Sequence, residues 1–275
     1  VFCDVDERTL NPTSSHIQEK ITSRTRAVMI LHFGGNPCDM DSILDVCNTN
    51  DLKLIEDNAN SPFSKYKGVN TGTIGDFGAW SFDSMKQLVM GDGGFVYIKD
   101  KKLVQKFMYE TYLGLKSSSG FSNSIDVKWW EFDIDKPARR SIINDIQGAM
   151  GVEQIKKIDG FINRRKEIHN TYTEQLRNLE WLTLPKDIDK DCQSSYYMYH
   201  VQTDTRDDLA KYLKDNGIYT TFRYYPLHLV EYYKDSNVML PNTEELSKKT
   251  LCIPLHQSIS ENDVEYIIET IGKYK

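Results

Sequence analysis

A lysine and an aspartate, each placed where an apolar segment ends, are the residues of this sequence best suited to chemistry. Lys86 closes the stretch at residues 80–86, just before a glycine-rich turn at 91–94, and Asp57 closes an apolar run at 54–57. Because the carboxyl ends of neighbouring parallel strands meet at one edge of a sheet, the amine and the acid can lie close together. An amine can form an imine with an aldehyde, and an acid can keep a pyridine nitrogen protonated. The pair therefore suits the chemistry of pyridoxal phosphate.

Each of these residues also has an ordinary structural interpretation. Taken alone, Lys86 is more often a surface lysine at a strand end, and Asp57 is more often a turn or helix-capping residue. Ser81 has a hydroxyl that could bind a phosphate oxygen, but its case depends on its position relative to Lys86. Glu56 is expected to face away from Asp57, because successive strand residues point to opposite sides. The glycine-rich stretch at 72–78 leads into a strand rather than a helix, so we reject a dinucleotide fingerprint there.

Composition limits the classes of protein that the sequence can represent. With 275 residues the chain can hold one large domain or two smaller ones. A formal net charge of -6 without a basic stripe argues against nucleic acid as a partner. We find no apolar run long enough to cross a bilayer and no secretory signal, so the cytoplasm is the expected compartment. Five scattered cysteines without a C-x-x-C pair, and six histidines without metal-like spacing, predict neither a disulfide framework nor a metal site.

The apolar periodicity predicts an α/β fold followed by a smaller α+β unit. Strands at 27–33 and 52–55 flank a helix capped by Asp39, which is typical of a parallel sheet. The further predicted elements are strands at 77–82, 95–98, 181–184, 196–201 and 219–224, helices at 101–112, 144–178, 207–216 and 261–273, turns at 65–78 and a loop at Ser117–Phe121. We place a large domain at 1–155 and a small C-terminal domain at 156–275. We expect a solvated helix face at Arg164, Arg165 and Lys166. We expect the aromatic residues at 196–199 to pack within the small domain.

An ordered series of motifs extends along nearly the whole sequence. It comprises Phe2-Cys3-Asp4-Val5-Asp6, Arg24-Thr25-Arg26-Ala27-Val28, His32-Phe33-Gly34-Gly35-Asn36-Pro37-Cys38-Asp39-Met40, Ile55-Glu56-Asp57, Tyr66-Lys67-Gly68, Gly72-Thr73-Ile74-Gly75-Asp76, Ser81-Phe82-Asp83-Ser84-Met85-Lys86, Asn144-Asp145-Ile146-Gln147-Gly148-Ala149-Met150-Gly151, Tyr225-Pro226-Leu227-His228 and Leu251-Cys252-Ile253-Pro254-Leu255-His256. Any one of these motifs alone is weak. In this order they resemble the DegT/DnrJ/StrS family of pyridoxal-phosphate-dependent sugar aminotransferases.

The resemblance implies a fold, an assembly and a set of site residues. The fold is that of aspartate aminotransferase (fold type I), with a mostly parallel sheet in a large cofactor domain, and the assembly is a homodimer with active sites at the subunit interface. Lys86 is then the Schiff-base lysine, Asp57 the partner of the pyridine nitrogen and Ser81 a ligand of the cofactor phosphate. Asn60 occupies the place where the family has His or Gln near the ring hydroxyl. His228 lies in a segment that approaches the sugar pocket.

The same resemblance exposes two departures from the family pattern. The sequence begins where a typical member has already built the first part of its large domain, which carries a Gly-Thr phosphate-binding turn and a stacking aromatic. Residues 139–143 replace a family Asn-Tyr-Arg stretch whose Asn reaches the partner's phosphate. Arg140 is our candidate to replace that contact and to influence substrate binding.

The activity that the resemblance implies is transfer of an amino group from an amino acid, glutamate by family habit, to a keto-sugar. That sugar is often nucleotide-linked and serves polysaccharide or amino-sugar biosynthesis. Because Lys86 is present, the dehydratase relatives that have histidine instead are disfavoured. The alternative hypothesis is a non-catalytic fragment or a sugar-binding relative of the same fold, motivated by the portion of the large domain that the sequence lacks.

Overall fold

The computed structural model describes residues 1–116, 133–134, 136–234 and 237–275, so the loop predicted at Ser117–Phe121 lies outside the described residues. The helices are α1 (Ser14–Gln18), α2 (Met40–Thr49), α3 (Val104–Thr111), α4 (Asp145–Ile155), α5 (Ile158–Leu176), α6 (Arg206–Asp215), α7 (Pro241–Lys249) and α8 (Glu261–Gly272). The strands are β1 (Ala27–Leu31), β2 (Lys53–Asp57), β3 (Lys65–Tyr66), β4 (Val69–Asn70), β5 (Phe77–Ser81), β6 (Gly94–Ile98), β7 (Cys192–Gln193), β8 (Tyr199–Gln202) and β9 (Thr250–Ile253).

The first half of the chain is organised by a four-stranded sheet in the order β1-β2-β5-β6. β1, β2 and β5 are parallel, whereas β6 returns antiparallel to β5. Helix α2 connects β1 to β2 and is capped at its N-terminus by Asp39, whose carboxylate accepts the backbone amide of Ser42. It buries Met40, Ile43 and Cys47 against the sheet. The predicted strand–helix–strand unit and its capping residue are therefore confirmed, and the apolar spacing of α2 explains why that face is buried.

The glycine-rich region that was predicted as turns contains two short strands. β3 pairs antiparallel with β4 and also with β7, which comes from the second half of the chain. The prediction failed here because each strand is only two residues long. A two-residue strand carries no alternation that a sequence pattern could detect, and its partner in β7 is far away in sequence.

The second half of the chain packs helices α5, α6 and α8 around the antiparallel pair β8–β9. Helix α8 is capped by Ser260, because its hydroxyl accepts the amide of Asp263 at 3.2 Å. The long helix predicted from 144 to 178 is broken between Ile155 and Ile158, where α4 ends and α5 begins. We retain as a proposal the division of the chain into domains near this break. In the described part of the chain, no helix has the length and apolar character needed to cross a membrane.

Two strands predicted in the second half are not extended strands in the structure. The segments at 181–184 and 219–224 each contribute a single bridge, Thr183 to Gln202 and Thr221 to Cys252. Both segments run into a proline, Pro185 and Pro226 respectively. Proline cannot donate to a strand ladder, so neither segment can extend its pairing past its proline.

Candidate functional site

The carboxyl ends of the three parallel strands meet at one edge of the main sheet and position the predicted acid and hydroxyl. Asp57 ends β2 opposite Ala79 of β5, and Ser81 ends β5. The chain after β2 is fixed to β5, because the amide of Asn58 donates to the carbonyl of Ala79 at 2.8 Å. One oxygen of the Asp57 carboxylate accepts the amide of Ala59 at 2.9 Å. The structure thus brings Asp57 and Ser81 to the same edge.

Lys86 lies in a compact turn that follows β5. The amide of Asp83 donates to the Ser81 hydroxyl at 3.4 Å, and the amide of Lys86 donates to the carbonyl of Asp83 at 3.0 Å. The amide of Met90 then returns to the carbonyl of Phe82 at 2.9 Å, which closes the turn. These bonds fix the position of the Lys86 backbone relative to the end of β5.

The Lys86 side chain is partly buried, and its ammonium faces the ring of Tyr197, with 5.3 Å between Nζ and the ring centroid. Burial lowers the pKa of Lys86 below its usual value, and the positive charge of Arg223 lowers it further, against the opposing effect of Asp57 and Asp83. Within the described residues, no hydrogen bond or ion pair engages this ammonium. The amine is therefore placed to react and is easier to deprotonate than a surface lysine.

Asn60 is buried beside this lysine turn and is held by a tyrosine from the second half of the chain. The hydroxyl of Tyr224 lies 3.2 Å from both the side-chain oxygen and the side-chain nitrogen of Asn60. The Ser195 hydroxyl donates to the backbone carbonyl of Asn60 at 2.9 Å. The amide group of Asn60 consequently has a fixed position at the strand edge.

A segment at residues 194–197 crosses the carboxyl ends of the strands and forms one wall of the site. The Ser194 hydroxyl donates to the carbonyl of Gly35 at 3.1 Å, and the backbone amide of Tyr197 donates to the carbonyl of Gly34 at 3.0 Å. The side-chain amide of Gln87, next to Lys86, donates to a carbonyl of the same segment. This crossing segment is what brings Tyr197 to the lysine. The aromatic run was predicted only to pack the small domain, so that interpretation was incomplete.

Arg165 holds the far side of the crossing segment, although it was predicted on a solvated helix face. Its side chain is buried, and its guanidinium donates to the carbonyls of Tyr196, Tyr197 and Leu255 at 3.2, 3.2 and 3.0 Å. Burial lowers the pKa of Arg165 to about 10. The prediction for Arg165 was wrong because it followed the charge of the neighbouring Arg164 and Lys166, whereas Arg165 lies on the buried face of α5 that includes Ile162.

Glu56 faces away from Asp57, as predicted, and is bound on the opposite side of β2. Its carboxylate lies 3.0 Å from Nε2 of His32 and accepts the amides of Gly72, Ile74 and Gly75 at 2.6–2.8 Å. Nδ1 of His32 accepts a backbone amide at 3.0 Å, so Nε2 carries the proton that is donated to Glu56. Burial alone would raise the pKa of Glu56, but these hydrogen bonds outweigh it and hold the pKa below its usual value.

Comparison with known proteins settles the family. The sequence profile of the DegT/DnrJ/EryC1/StrS aminotransferase family matches residues 1–272. This chain belongs to that family. It is 40% identical over 99% of its length, and over 71% of the relative, to a protein named dTDP-4-dehydro-2,3,6-trideoxy-D-glucose 4-aminotransferase from Saccharopolyspora spinosa. It is also 32% identical over its full length to GDP-perosamine synthase of Escherichia coli O157:H7, of which it covers 72%.

Among solved structures, the chain resembles the aminotransferase TlmJ from Streptoalloteichus hindustanus, with a TM-score of 0.92 and 41% identity. That similarity covers 98% of this chain and 71% of the other. The predicted fold type I architecture, with a mostly parallel sheet, is thereby confirmed. Family membership also confirms that the chain is an aminotransferase of the class that uses pyridoxal phosphate.

The residues at the strand edge fit that cofactor chemically. The Lys86 ammonium is not engaged by hydrogen bonds or ion pairs within the described residues, and its pKa is lowered by burial. Asp57 supplies a carboxylate from the neighbouring strand end, and Ser81 supplies a hydroxyl from the strand that leads to Lys86. The amide of Asn60 adds a donor and an acceptor. These residues offer a suitable side chain for each reactive or polar part of the cofactor, namely its aldehyde, its pyridine nitrogen, its phosphate and its ring hydroxyl.

The two candidates for substrate binding lie outside the group around Lys86. His228 is buried, and its Nε2 lies 3.0 Å from Oε1 of Glu244 on α7. It lines an apolar cavity of about 350 Å³ that Arg223 and Tyr224 also line. Arg140 is exposed and forms a backbone bridge with Tyr112. Both therefore remain candidates, and only His228 shares a cavity with residues that contact the site.

Sequence reasoning missed three residues of the site, which are Tyr197, whose ring faces Lys86, Arg223, which donates to the Tyr197 hydroxyl, and Tyr224, which holds Asn60. Arg223 and Tyr224 directly precede the motif that ends at His228, and this adjacency was a usable signal. Reading 219–224 as a strand concealed it, because a strand predicts alternating faces rather than two consecutive residues that reach the same site.

Proposed function

We propose that this chain transfers an amino group from an amino acid to the ketone carbon of a nucleotide-linked keto-sugar, with pyridoxal phosphate as its cofactor. The observation that carries the proposal is the partly buried Lys86 amine, which faces the Tyr197 ring at 5.3 Å and whose turn follows β5, the strand paired with the one that ends at Asp57. The names of the relatives from Saccharopolyspora spinosa and Escherichia coli support a nucleotide-linked sugar as the acceptor and biosynthesis of amino sugars as the role.

When bound, pyridoxal phosphate supplies an electron sink for the carbon that loses its proton. Lys86 would hold the cofactor and then, as a neutral amine, take and return the proton at the substrate carbon; such a base contributes roughly 10²–10⁴-fold to rate. Asp57 would hold the proton on the ring nitrogen. Ser81 would donate its hydroxyl to the phosphate, and Asn60, held by Tyr224, would orient the ring through its hydroxyl.

The test of the lysine uses chemistry that does not require a sugar substrate. The purified protein is mixed with pyridoxal phosphate, reduced with borohydride, digested and analysed by mass spectrometry. We expect the label on Lys86, together with a visible absorption band that Lys86→Ala abolishes. Lys106→Ala, at an exposed position on α3, should keep both the band and the label. A label elsewhere, or an unchanged band in Lys86→Ala, would remove Lys86 from the mechanism.

The test of the reaction uses the same protein with a panel of nucleotide-linked keto-sugars and amino acids. We expect an amino acid to convert the bound cofactor to its amine form, and a keto-sugar from the panel to restore it. Formation of the amino sugar is followed by mass spectrometry. If no amino acid alters the cofactor spectrum, the non-catalytic alternative is supported instead.

We further propose that the chain acts as a homodimer through an apolar surface on α4 and the residues before it. The exposed apolar residues of this α4 surface are Ile142, Ile143, Ile146, Met150, Val152 and Ile155. A concentration of exposed apolar side chains of this kind marks an interaction site. Arg140 lies two residues before it, where it could reach a substrate or cofactor phosphate in the partner subunit.

The α4 surface is also tied to the lysine turn. Helix α4 approaches that turn at Gly151, where an added Cβ would lie 2.8 Å from the Met90 sulfur. We expect light scattering coupled to gel filtration to give a dimer for the wild type. Ile146→Asp should give a monomer, whereas Tyr219→Asp, at an exposed aromatic away from α4, should not change the mass. A wild type that stays monomeric at all concentrations contradicts the proposal.

A further inference from the structure

We propose that Glu244 is a positioning residue for the sugar acceptor, because it holds the His228 ring so that Nδ1 accepts a hydrogen bond from a sugar hydroxyl. The inference rests on the proposed transfer to a nucleotide-linked sugar, since that reaction brings a sugar to the site. No motif of the sequence that pointed to the site includes Glu244. The proposal depends on the contacts of this pair, on the cavity that His228 lines and on the hydrogen-bonding chemistry of hydroxyl groups.

The carboxylate of Glu244 is fixed at the start of helix α7. Its Oε1 accepts the backbone amide of Leu240 at 3.2 Å and lies 3.0 Å from Nε2 of His228. The start of the helix is itself held, because Asp4 accepts the amide of Thr243 at 2.8 Å. The hydrogen bond from His228 lowers the pKa of Glu244 below its usual value, so the group is ionised at neutral pH. An ionised carboxylate only accepts hydrogen bonds.

The bond to Glu244 determines which nitrogen of His228 carries the proton. Since the carboxylate cannot donate, Nε2 is the N–H of this pair, and in a neutral imidazole Nδ1 is then an acceptor. The residue is only 3% exposed and belongs to a 3₁₀ turn at Leu227–Leu229. Among the described residues, none forms a hydrogen bond with Nδ1. An unpaired acceptor on a buried ring favours a ligand that donates.

His228 lines a mostly apolar cavity of about 350 Å³ that reaches the carboxyl end of the main sheet. The cavity also contacts Leu31, the last residue of β1, which is paired in register with Asp57. Tyr224 lines it as well, and its hydroxyl is bound to Asn60 at 3.2 Å. Small-ligand sites typically have volumes of roughly 300–1,000 Å³. The cavity therefore has a suitable size and adjoins the residues that we propose to hold the cofactor.

The chemistry of the cavity wall favours a hydroxyl as the partner of Nδ1. A sugar hydroxyl both donates and accepts, so a hydroxyl that leaves water needs an acceptor for its proton. The diphosphate of a nucleotide-linked sugar carries acceptors at neutral pH and gains nothing from a further acceptor. The guanidinium of Arg223, in the same wall, supplies donors only. An acceptor at His228 therefore distinguishes the sugar from the diphosphate of the same substrate.

Replacing Glu244 should remove this acceptor without removing the ring. In Glu244→Met, Nε2–H loses its partner, so the ring can carry its proton on Nδ1 or turn away from the cavity. In Glu244→Gln, the side-chain oxygen can still accept from Nε2–H and keep the ring in place. The two variants therefore separate the loss of a charge from the loss of an acceptor.

The experiment compares nucleoside diphosphates with their glucose conjugates, which carry hydroxyls but no ketone and therefore cannot react. Binding of dTDP, UDP and GDP and of each conjugate is measured by calorimetry on the protein loaded with pyridoxamine phosphate, the amine form of the cofactor. We expect at least one conjugate to bind more tightly than its diphosphate. Glu244→Met should weaken binding of that conjugate by about 3- to 10-fold, the range for one neutral hydrogen bond, and leave the diphosphate unchanged. Glu244→Gln should retain most of the affinity, and Glu245→Met, at the exposed neighbour on α7, should retain all of it.

Two further measurements separate positioning from a purely structural role. In a His228→Phe background, Glu244→Met should have no additional effect on the conjugate, because its effect acts through the ring. Nitrogen-15 NMR of the histidine-labelled wild type in mildly alkaline buffer should show His228 protonated at Nε2, and addition of the conjugate should shift the Nδ1 resonance. The NMR measurement needs no variant, so it serves if circular dichroism shows that Glu244→Met is not folded.

The proposal is overturned if Glu244→Met weakens the diphosphate and its conjugate equally, leaves both unchanged, or still acts in the His228→Phe background. It is also overturned if no conjugate binds more tightly than its diphosphate, or if Nδ1 carries the proton. Failure of the proposed transamination is a separate result. If Glu244→Met weakens only the conjugate but no amino acid converts the bound cofactor, transamination fails and the positioning role stands. If Glu244→Met forms the amino sugar with unchanged kcat and KM, transamination stands and the positioning role fails.

Discussion

Glu56→Gln should lower the free energy of unfolding by about 2–4 kcal/mol, because it breaks a buried carboxylate cluster. Glu56 accepts Nε2–H of His32 at 3.0 Å and the amides of Gly72, Ile74 and Gly75 at 2.7, 2.8 and 2.6 Å. Glutamine offers one oxygen, so its NH₂ group must face at least one of these donors. A buried donor without an acceptor costs about 1–3 kcal/mol, and the bonds that remain lose their charge assistance.

The assay is urea unfolding at neutral pH and again in acid, with Glu174→Gln on the exposed side of α5 as the matched control. Hydrogen bonds hold the pKa of Glu56 below its unfolded-state value. The Glu56 carboxylate therefore stabilises the folded state fully above the unfolded-state pKa. This stabilisation is lost as the pH falls through the lower folded-state pKa. The difference in free energy of unfolding between wild type and Glu56→Gln should therefore become smaller in acid. The reasoning would be refuted if Glu56→Gln lowered the free energy of unfolding no more than Glu174→Gln does. It would also be refuted if the difference between wild type and Glu56→Gln became larger in acid.

Three further predictions concern stability and reactivity. Arg165→Met should destabilise the protein by about 2–4 kcal/mol in urea, because buried carbonyls lose their charged donor, and unchanged stability would contradict this. Gly35→Ala should cost about 1–3 kcal/mol, because φ is 93° at this position and the new Cβ would clash with the hydroxyl of Ser195; a neutral result in the same assay would count against it. Cys192 should be alkylated before Cys38 in the folded protein, because burial raises the pKa of Cys38 strongly; peptide mass spectrometry gives the order, and labelling of Cys38 first would contradict it.

The parts of the site that strand ends determine could be predicted from the sequence. Asp57 and Lys86 follow apolar segments whose periodicity is visible, and their meeting at one edge follows from a parallel sheet. Tyr197 and Arg223 could not be found in this way. Their positions depend on the crossing segment and on hydrogen bonds between residues more than a hundred positions apart, which no local pattern records.

In the fold too, features that depend on neighbouring residues could be predicted, whereas features that depend on distant residues could not. Helix α8 and its cap at Ser260 were predictable, because the cap and the apolar spacing lie within one short window. The break between Ile155 and Ile158 was not, because no glycine or proline marks it. Strands β3 and β7 were missed because each has only two residues and they pair with each other from distant parts of the sequence.

The crossing segment has a consequence for the order in which the protein can be assembled. Its bonds to Gly35, Asn60 and Ser64 join residues separated by 159, 135 and 131 positions. Closing such long loops is slow compared with forming local helices and turns. During synthesis the parallel sheet can form first, but a ribosome must have released the chain well beyond residue 197 before the lysine acquires its wall. A nascent chain that has only the sheet holds its cofactor residues open to water.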